Sequence, residues 1–133
     1  MPATAHAPED VVALFAAALH EGDVDDALSL FESDAVFVAQ PDGPPLTGHD
    51  AIRDALTQFT AMKPTMTSHI HKVVSTGDVA TVLNTWRLKG STPSGELIDM
   101  AGTSADVMRR RADGTWAILI DDPWGAFQPA TPS

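Results

Sequence analysis

Residues 106–125 read DVMRRRADGTWAILIDDPWG, and the reading of this stretch decides the fold. Its Asp113-Gly114 pair separates an arm ending in Arg109-Arg110-Arg111 from the apolar run Trp116 to Ile120. Asp-Gly between two strand-like runs is a strong hairpin signal. Moving back along the chain, strand-like runs at about 66–74, 79–89 and 96–111 precede the last one at 115–121. The breaks between them are Thr76-Gly77-Asp78 and Ser91-Thr92-Pro93-Ser94-Gly95. Four strands joined by such short turns pair antiparallel, because a parallel pair needs a long crossover.

The first half of the chain has helical periodicity. Pro8-Glu9-Asp10 opens a helix, with proline in the first turn and acids at the positive end of the dipole. Val11, Leu14, Phe15, Ala18 and Leu19 form its apolar stripe, and Gly22 ends it. Asp23 is placed to cap a second, shorter helix striped by Val24, Ala27, Leu28 and Phe31. Ala35-Val36-Phe37-Val38 reads as a strand and Pro41-Asp42-Gly43-Pro44-Pro45 as a loop. A third helix follows Gly48, with Ile52, Ala55, Leu56 and Phe59 on one face, until Lys63-Pro64 stops it. The order is α-α-β-α-β-β-β-β. It predicts an α+β fold in which three N-terminal helices pack on one face of a strongly curved, mainly antiparallel sheet. Such a sheet and its helices make a cone-shaped α+β barrel with a cavity at the open end. A single domain is expected over 1–133, with loose tails at about 1–7 and 126–133.

Composition narrows the function classes. The chain has 8 Lys+Arg against 18 Asp+Glu, a formal net charge of −10. A surface for nucleic acid or anionic membrane needs the opposite balance, so neither is an expected partner. Fourteen of the acids are Asp, scattered along the chain, which suits solubility and turns. The absence of cysteine removes disulfides, thiolate metal sites and cysteine nucleophiles. No apolar run is long enough for a membrane helix, and the expected location is the cytoplasm. Serine-nucleophile motifs, phosphate-cradling glycine loops and dinucleotide fingerprints are missing.

Several segments, in order, resemble the nuclear-transport-factor-2-like superfamily, and within it the small SnoaL-like, polyketide-cyclase and ketosteroid-isomerase-like domains. They are Glu21-Gly22-Asp23-Val24-Asp25-Asp26-Ala27-Leu28, Phe31-Glu32-Ser33-Asp34-Ala35-Val36, Gly48-His49-Asp50-Ala51-Ile52-Arg53, Asp106-Val107-Met108-Arg109, Asp113-Gly114-Thr115-Trp116 and Ile120-Asp121-Asp122-Pro123-Trp124-Gly125. The resemblance implies a hydrophobic small-molecule pocket and a homodimer formed through the back of the sheet. It does not transmit one activity. Where ketosteroid isomerase has an oxyanion-donating tyrosine on the first helix, this chain has Phe15, and it contains no tyrosine. The isomerase base after the first strand is matched by Gln40 or Ala39. Only the third position, an acid in Asp-Val-Met-Arg, is kept, as Asp106. A standard ketosteroid isomerase mechanism is therefore not expected.

The groups left for chemistry are few. Alternation along the third of the four strands puts Met100, Ser104, Asp106 and Met108 on one face. An acid between methionines is either in a pocket, where desolvation raises its pKa, or paired on a solvated face. Asp121 and Asp122 point to opposite faces by alternation. The resemblance to SnoaL-like cyclases favours Asp121 as an acid–base residue and leaves turn duty before Pro123 to Asp122. His69 and His71 fall on one face of their strand, as pocket walls or a partly solvated face; no third ligand accompanies them, so no metal site is assigned. His71 is also a candidate proton shuttle. Asn84 can orient a ligand carbonyl, and Trp124 can cover the pocket mouth.

The leading expectation is cofactor-free acid–base chemistry (cyclisation, isomerisation or dehydration) on a hydrophobic, carbonyl-bearing intermediate such as a polyketide. Asp121, Asp106 and His71 are the catalytic candidates. Phe15, Leu19, Phe31, Gln40, Phe59, His69, Asn84, Met108 and Trp124 are the ligand-binding ones. The alternatives are a non-catalytic carrier and a dimeric assembly domain with a vestigial pocket.

Overall fold

In the computed structural model, which describes residues 4–126, three helices pack against a six-stranded sheet. The helices are α1 (Pro8–Glu21), α2 (Val24–Ser29) and α3 (His49–Ala61); the strands are β1 (Phe31–Phe37), β2 (Leu46–Thr47), β3 (Thr65–Thr76), β4 (Val79–Ser91), β5 (Leu97–Arg110) and β6 (Trp116–Asp121). The sheet runs β2-β1-β6-β5-β4-β3 and is antiparallel except for β1 beside β6. The result is the expected α+β cone with one added element. The two-residue β2 pairs Leu46 and Thr47 with Phe37 and Val36 directly after the proline loop, a pairing too short to leave a period in the sequence.

Local chemistry accounts for the boundaries. Pro8 opens α1, and Gly22, at φ 74°, closes it in the left-handed conformation that glycine adopts without penalty. The Asp23 carboxylate accepts the Asp26 N–H at 2.9 Å and caps α2. At the β5–β6 hairpin, Asp113 accepts both the N–H and the hydroxyl of Thr115, and these bonds hold its pKa down. The three arginines before that turn are engaged with acids on other elements: Arg109 and Arg111 with Glu32, and Arg110 with Asp78.

Two expectations at the N-terminal side need correction. Phe31 does not extend the α2 stripe. The helix ends at Ser29, and Phe31 begins β1, opposite Ile118 of β6. Of the expected tail at 1–7, Ala5 is instead buried and bridges to Trp116, whose N–H donates to its carbonyl at 2.9 Å. Of the other tail, Ala126 donates to the Thr103 carbonyl, and 127–133 lie outside the described residues.

Besides an irregularity in the β1–β6 pairing, two extra residues shift the alternation, and the one in β6 positions the site. Between Ile70, opposite Asn84, and Lys72, opposite Leu83, β3 leaves His71 unpaired. Between Ile118, opposite Met108, and Ile120, opposite Val107, β6 leaves Leu119 unpaired. Each extra residue reverses which face the following side chains meet. Beyond Leu119 the reversal sends Ile120 outward and Asp121 inward. The outer face carries an apolar strip that includes Val74, Leu83, Ala105, Val107 and Ile120.

A row of aromatic rings links helices to sheet. Phe15 meets Phe31 at 5.7 Å, Phe31 meets Phe37 at 5.9 Å, and Phe37 meets Phe59 at 6.1 Å between centroids. Phe31 is fully buried in the middle of this row. Phe31→Ala is expected to lower the unfolding free energy by about 3–5 kcal/mol, read from denaturant unfolding. A loss under about 1 kcal/mol would mean that the row does not hold the helices to the sheet.

Candidate functional site

Between the helices and the inner face of the sheet lies a cavity with about 80 Å³ of interior room, open to solvent at one end. Its wall is apolar on most sides. Val11, Val12, Phe15 and Leu19 come from α1, Phe37 and Ala39 from the end of β1, Phe59 from α3, and Met66, Leu88, Met100, Met108 and Ile118 from the strands. Trp86 and Trp124 stand edge to face at 5.7 Å, and the Trp86 indole N–H donates to the Pro123 carbonyl at 2.7 Å. This bond fixes the turn after β6 against β4. Gly102 makes the approach feasible, because a Cβ there would sit 3.0 Å from the Pro123 carbonyl oxygen and from both indole rings.

Four polar side chains share one patch of this wall: Asn84, Ser104, Asp106 and Asp121, each at least nine-tenths buried. Asn84 faces Ser104 across β4 and β5, and Asp106 follows Ser104 on the same face. Asp121 arrives from β6 because of the bulge at Leu119. No lysine, arginine or histidine lines the cavity among the described residues.

The two acids form a coupled pair. Burial pushes the Asp121 carboxyl well above the usual carboxylate range, and the negative charge of Asp106 and their mutual hydrogen bond push it further. Burial also raises Asp106, but hydrogen bonds from Asp121, the Asp122 N–H and Ser104 favour its charged form and offset part of that rise. The Asp122 N–H lies 3.1 Å from Asp106 Oδ1. Both carboxyls thus hold a proton more tightly than a free aspartate does, Asp121 the more so. Asp122 stays outside the pair, its carboxylate against Gly125 in the turn.

The other sequence candidates divide clearly. Phe15, Leu19, Phe59, Asn84, Met108 and Trp124 stand in the cavity wall. Phe31 does not; it lies behind Phe15 and Phe37 as core. Gln40 is exposed, and the neighbouring Ala39 takes the wall position. His69 and His71 are corrected as well. Their rings meet at 4.7 Å on the outer face, and His71 Nε2 bonds Thr85 Oγ1 at 2.5 Å. The sheet separates them from both acids, so His71 cannot shuttle protons to Asp106 or Asp121. Two wall residues stand outside the sequence candidates: Ser104, although alternation already put it on one face with Asp106, and Trp86, which shares the inward parity of Asn84.

Both shifts being upward, the folded protein retains protons that the unfolded chain releases above about pH 4. The pair's contribution to stability is complete below that pH and is lost as pH rises through the folded-state values. Asp121→Asn removes the ionisation that burial opposes. It is expected to melt above wild type near neutral pH, with the gap closing toward about pH 4, in thermal unfolding across that range. A gap that does not change with pH would show that Asp121 ionises in the fold as freely as in the unfolded chain.

No curated protein matches the chain in sequence. Solved structures match it in fold. A conserved protein from Planctomyces limnophilus DSM 3776 superposes with a TM-score of 0.76 at 19% identity over 85% of this chain and 88% of that one. A nuclear-transport-factor-2-like protein with a cystatin-like fold from Novosphingobium aromaticivorans does so with a TM-score of 0.74 at 16% identity, over 91% and 80%. A ketosteroid isomerase-like protein from Erwinia carotovora atroseptica SCRI1043 gives 0.72 at 21% identity, over 86% and 89%. The family model for the SnoaL-like domain matches residues 11–118, a span that takes in Asp106 and stops three residues before Asp121. By that match, the chain belongs to the SnoaL-like domain family.

Proposed function

We propose that the chain carries out acid–base chemistry on an uncharged, hydrophobic, carbonyl-bearing small molecule, with Asp106 as the base and Asp121 as the acid. The observation that carries this reading is the pair of buried acids, Asp121 and Asp106, at the polar patch of an otherwise apolar cavity that no cation among the described residues lines. In the step proposed, the Asp106 carboxylate takes a proton from the carbon next to the carbonyl. The C–H electron pair becomes the C=C bond, and the carbonyl oxygen receives the Asp121 proton, giving an enol. Isomerisation, cyclisation or dehydration can each proceed from an enol. The interior room takes a small fragment, so a ligand of one ring or more extends toward the open side of the cavity.

Acetophenone presents one exchangeable methyl group beside a carbonyl and fits this size class. The protein is expected to speed exchange of its methyl protons in deuterium oxide, followed by NMR. Asp106→Asn is expected to slow that exchange by about 100-fold or more while the ketone still binds. Binding by wild type with no acceleration would make the cavity a carrier site instead of a catalytic one.

The outer apolar strip supports a second proposal, that two copies pair through the back of the sheet. Val74 at 53% exposure and Ile120 at 37% leave apolar surface on that face. Val74→Lys is expected to shift the sedimentation coefficient to that of a monomer; an unchanged coefficient would remove this face from the interface.

A further inference from the structure

We infer that Trp86 is a positioning residue for Asp106: its indole N–H holds the turn that brings the Asp122 N–H onto the Asp106 carboxyl group. The inference rests on the acid–base reading of the same cavity. An inward position on β4 asks only for a large apolar side chain, as Leu88 shows two residues further on. Trp86 is buried in that wall, yet its one polar atom is spent on the main chain, where Nε1–H donates to the Pro123 carbonyl at 2.7 Å. A buried indole N–H needs such a partner. The carbonyl needs it equally, because no main-chain N–H reaches it among the described residues.

The segment after β6 is held from two sides. On the β5 side, the Ala105 N–H donates to the Asp122 carbonyl at 3.0 Å and the Ala126 N–H to the Thr103 carbonyl at 3.1 Å. On the β4 side the indole is the hold, and it acts one residue from the amide that matters. The Asp122 N–H donates to Asp106 Oδ1 at 3.1 Å, near the long end for such a bond, so a small movement of the turn breaks it. Proline at 123 has no N–H with which to tie the turn itself. Beneath lies Gly102, where a Cβ would sit 3.0 Å from the Pro123 carbonyl oxygen, Trp124 Cδ1 and Trp86 Cζ2. The carbonyl and both indole rings close over bare backbone.

The groups that face Asp106 are few. Asp121 comes from β6, the Asp122 carboxylate from the turn and Ser104 from β5 itself, while α1 and β4 bring apolar side chains and Asn84. With no cation among them, hydrogen bonds alone favour the charged form of Asp106, and the Asp122 N–H is the one a main-chain group supplies. Releasing it raises the pH at which Asp106 loses its proton. The carboxylate is the form that serves as a base, so the change carries through to the reaction.

NMR of the full chain, labelled with carbon-13 at the aspartate carboxyl groups and with nitrogen-15, tests this without ligand. The Asp106 carboxyl, identified by its absence in Asp106→Asn, is expected to titrate about one pH unit higher in Trp86→Phe, which keeps a ring in the wall and removes the N–H. Gly102→Ala presses on the same carbonyl and retains the indole N–H; it is expected to shift the titration the same way. In the wild type, the Asp122 amide and Trp86 indole resonances should both move over the pH range in which Asp106 titrates, a readout that needs no variant. An Asp106 titration alike in wild type and Trp86→Phe would overturn the inference and leave the turn held by β5 alone. So would an indole resonance that stays still while Asp106 titrates. Exchange of the acetophenone methyl protons separates this inference from the reading beneath it. Its rise with pH should move up with the carboxyl in Trp86→Phe; weaker ketone binding with the rise left in place would reduce Trp86 to a wall contact and overturn the inference. Absence of exchange in the wild type would overturn the acid–base reading, while the ligand-free titrations still decide what holds Asp106.

Discussion

Two carboxyl groups from neighbouring strands meet in a cavity wall that offers them no cation, and two adjacent negative charges cannot both be sustained there. The protein resolves this with a proton. Burial raises both carboxyls, Asp121 the more, while the Asp122 N–H and the Asp121 carboxyl offset part of the rise at Asp106. A lone buried aspartate in the same wall would be neutral and useless as a base. The second acid changes how tightly each carboxyl holds its proton.

The pair exists because β6 breaks its own alternation. Without the extra residue at Leu119, Asp121 would face outward and Ile120 would take its place against Asp106. The same segment then turns at Asp122-Pro123-Trp124-Gly125. There the Asp122 N–H secures Asp106, and the Pro123 carbonyl secures Trp86. A single short stretch therefore supplies Asp121, orients Asp106 and builds one side of the cavity wall. Its freedom to approach the sheet depends on the missing side chain at Gly102, since a methyl group there would press on both tryptophans.

Most of the fold was legible because its signals are local and repeated. The helical stripes, the Asp-Gly hairpin and the glycine stops each reflect a backbone preference that acts within a few residues. The alternation in β5 was legible for the same reason, and it correctly grouped Met100, Ser104, Asp106 and Met108 on one face. Phe31 was misplaced because an aromatic residue one turn beyond a helical stripe fits either a longer helix or a new strand. Only its partners Phe15 and Phe37, distant in sequence, decide between them. His69 and His71 share a face as spacing requires, but spacing alone does not say which face. The bulges at His71 and Leu119 leave no mark in the sequence, being consequences of how neighbouring strands register. Asp121 pointing inward was reached by resemblance, and the structure supplies the physical reason.

The same physics explains why this cavity can do without a histidine. An imidazole near neutral pH offers both a base and an acid because its own pKa is suited to the work. A carboxyl group ordinarily offers only the base. Coupling two of them in a dry wall splits their behaviour, so that one acts as a carboxylate and the other as a carboxylic acid at the same pH. Hydrogen bonding distinguishes the two: both acids are 8% exposed, yet only Asp106 receives the Asp122 N–H. The backbone turn after β6 is therefore what makes the two carboxyls unequal.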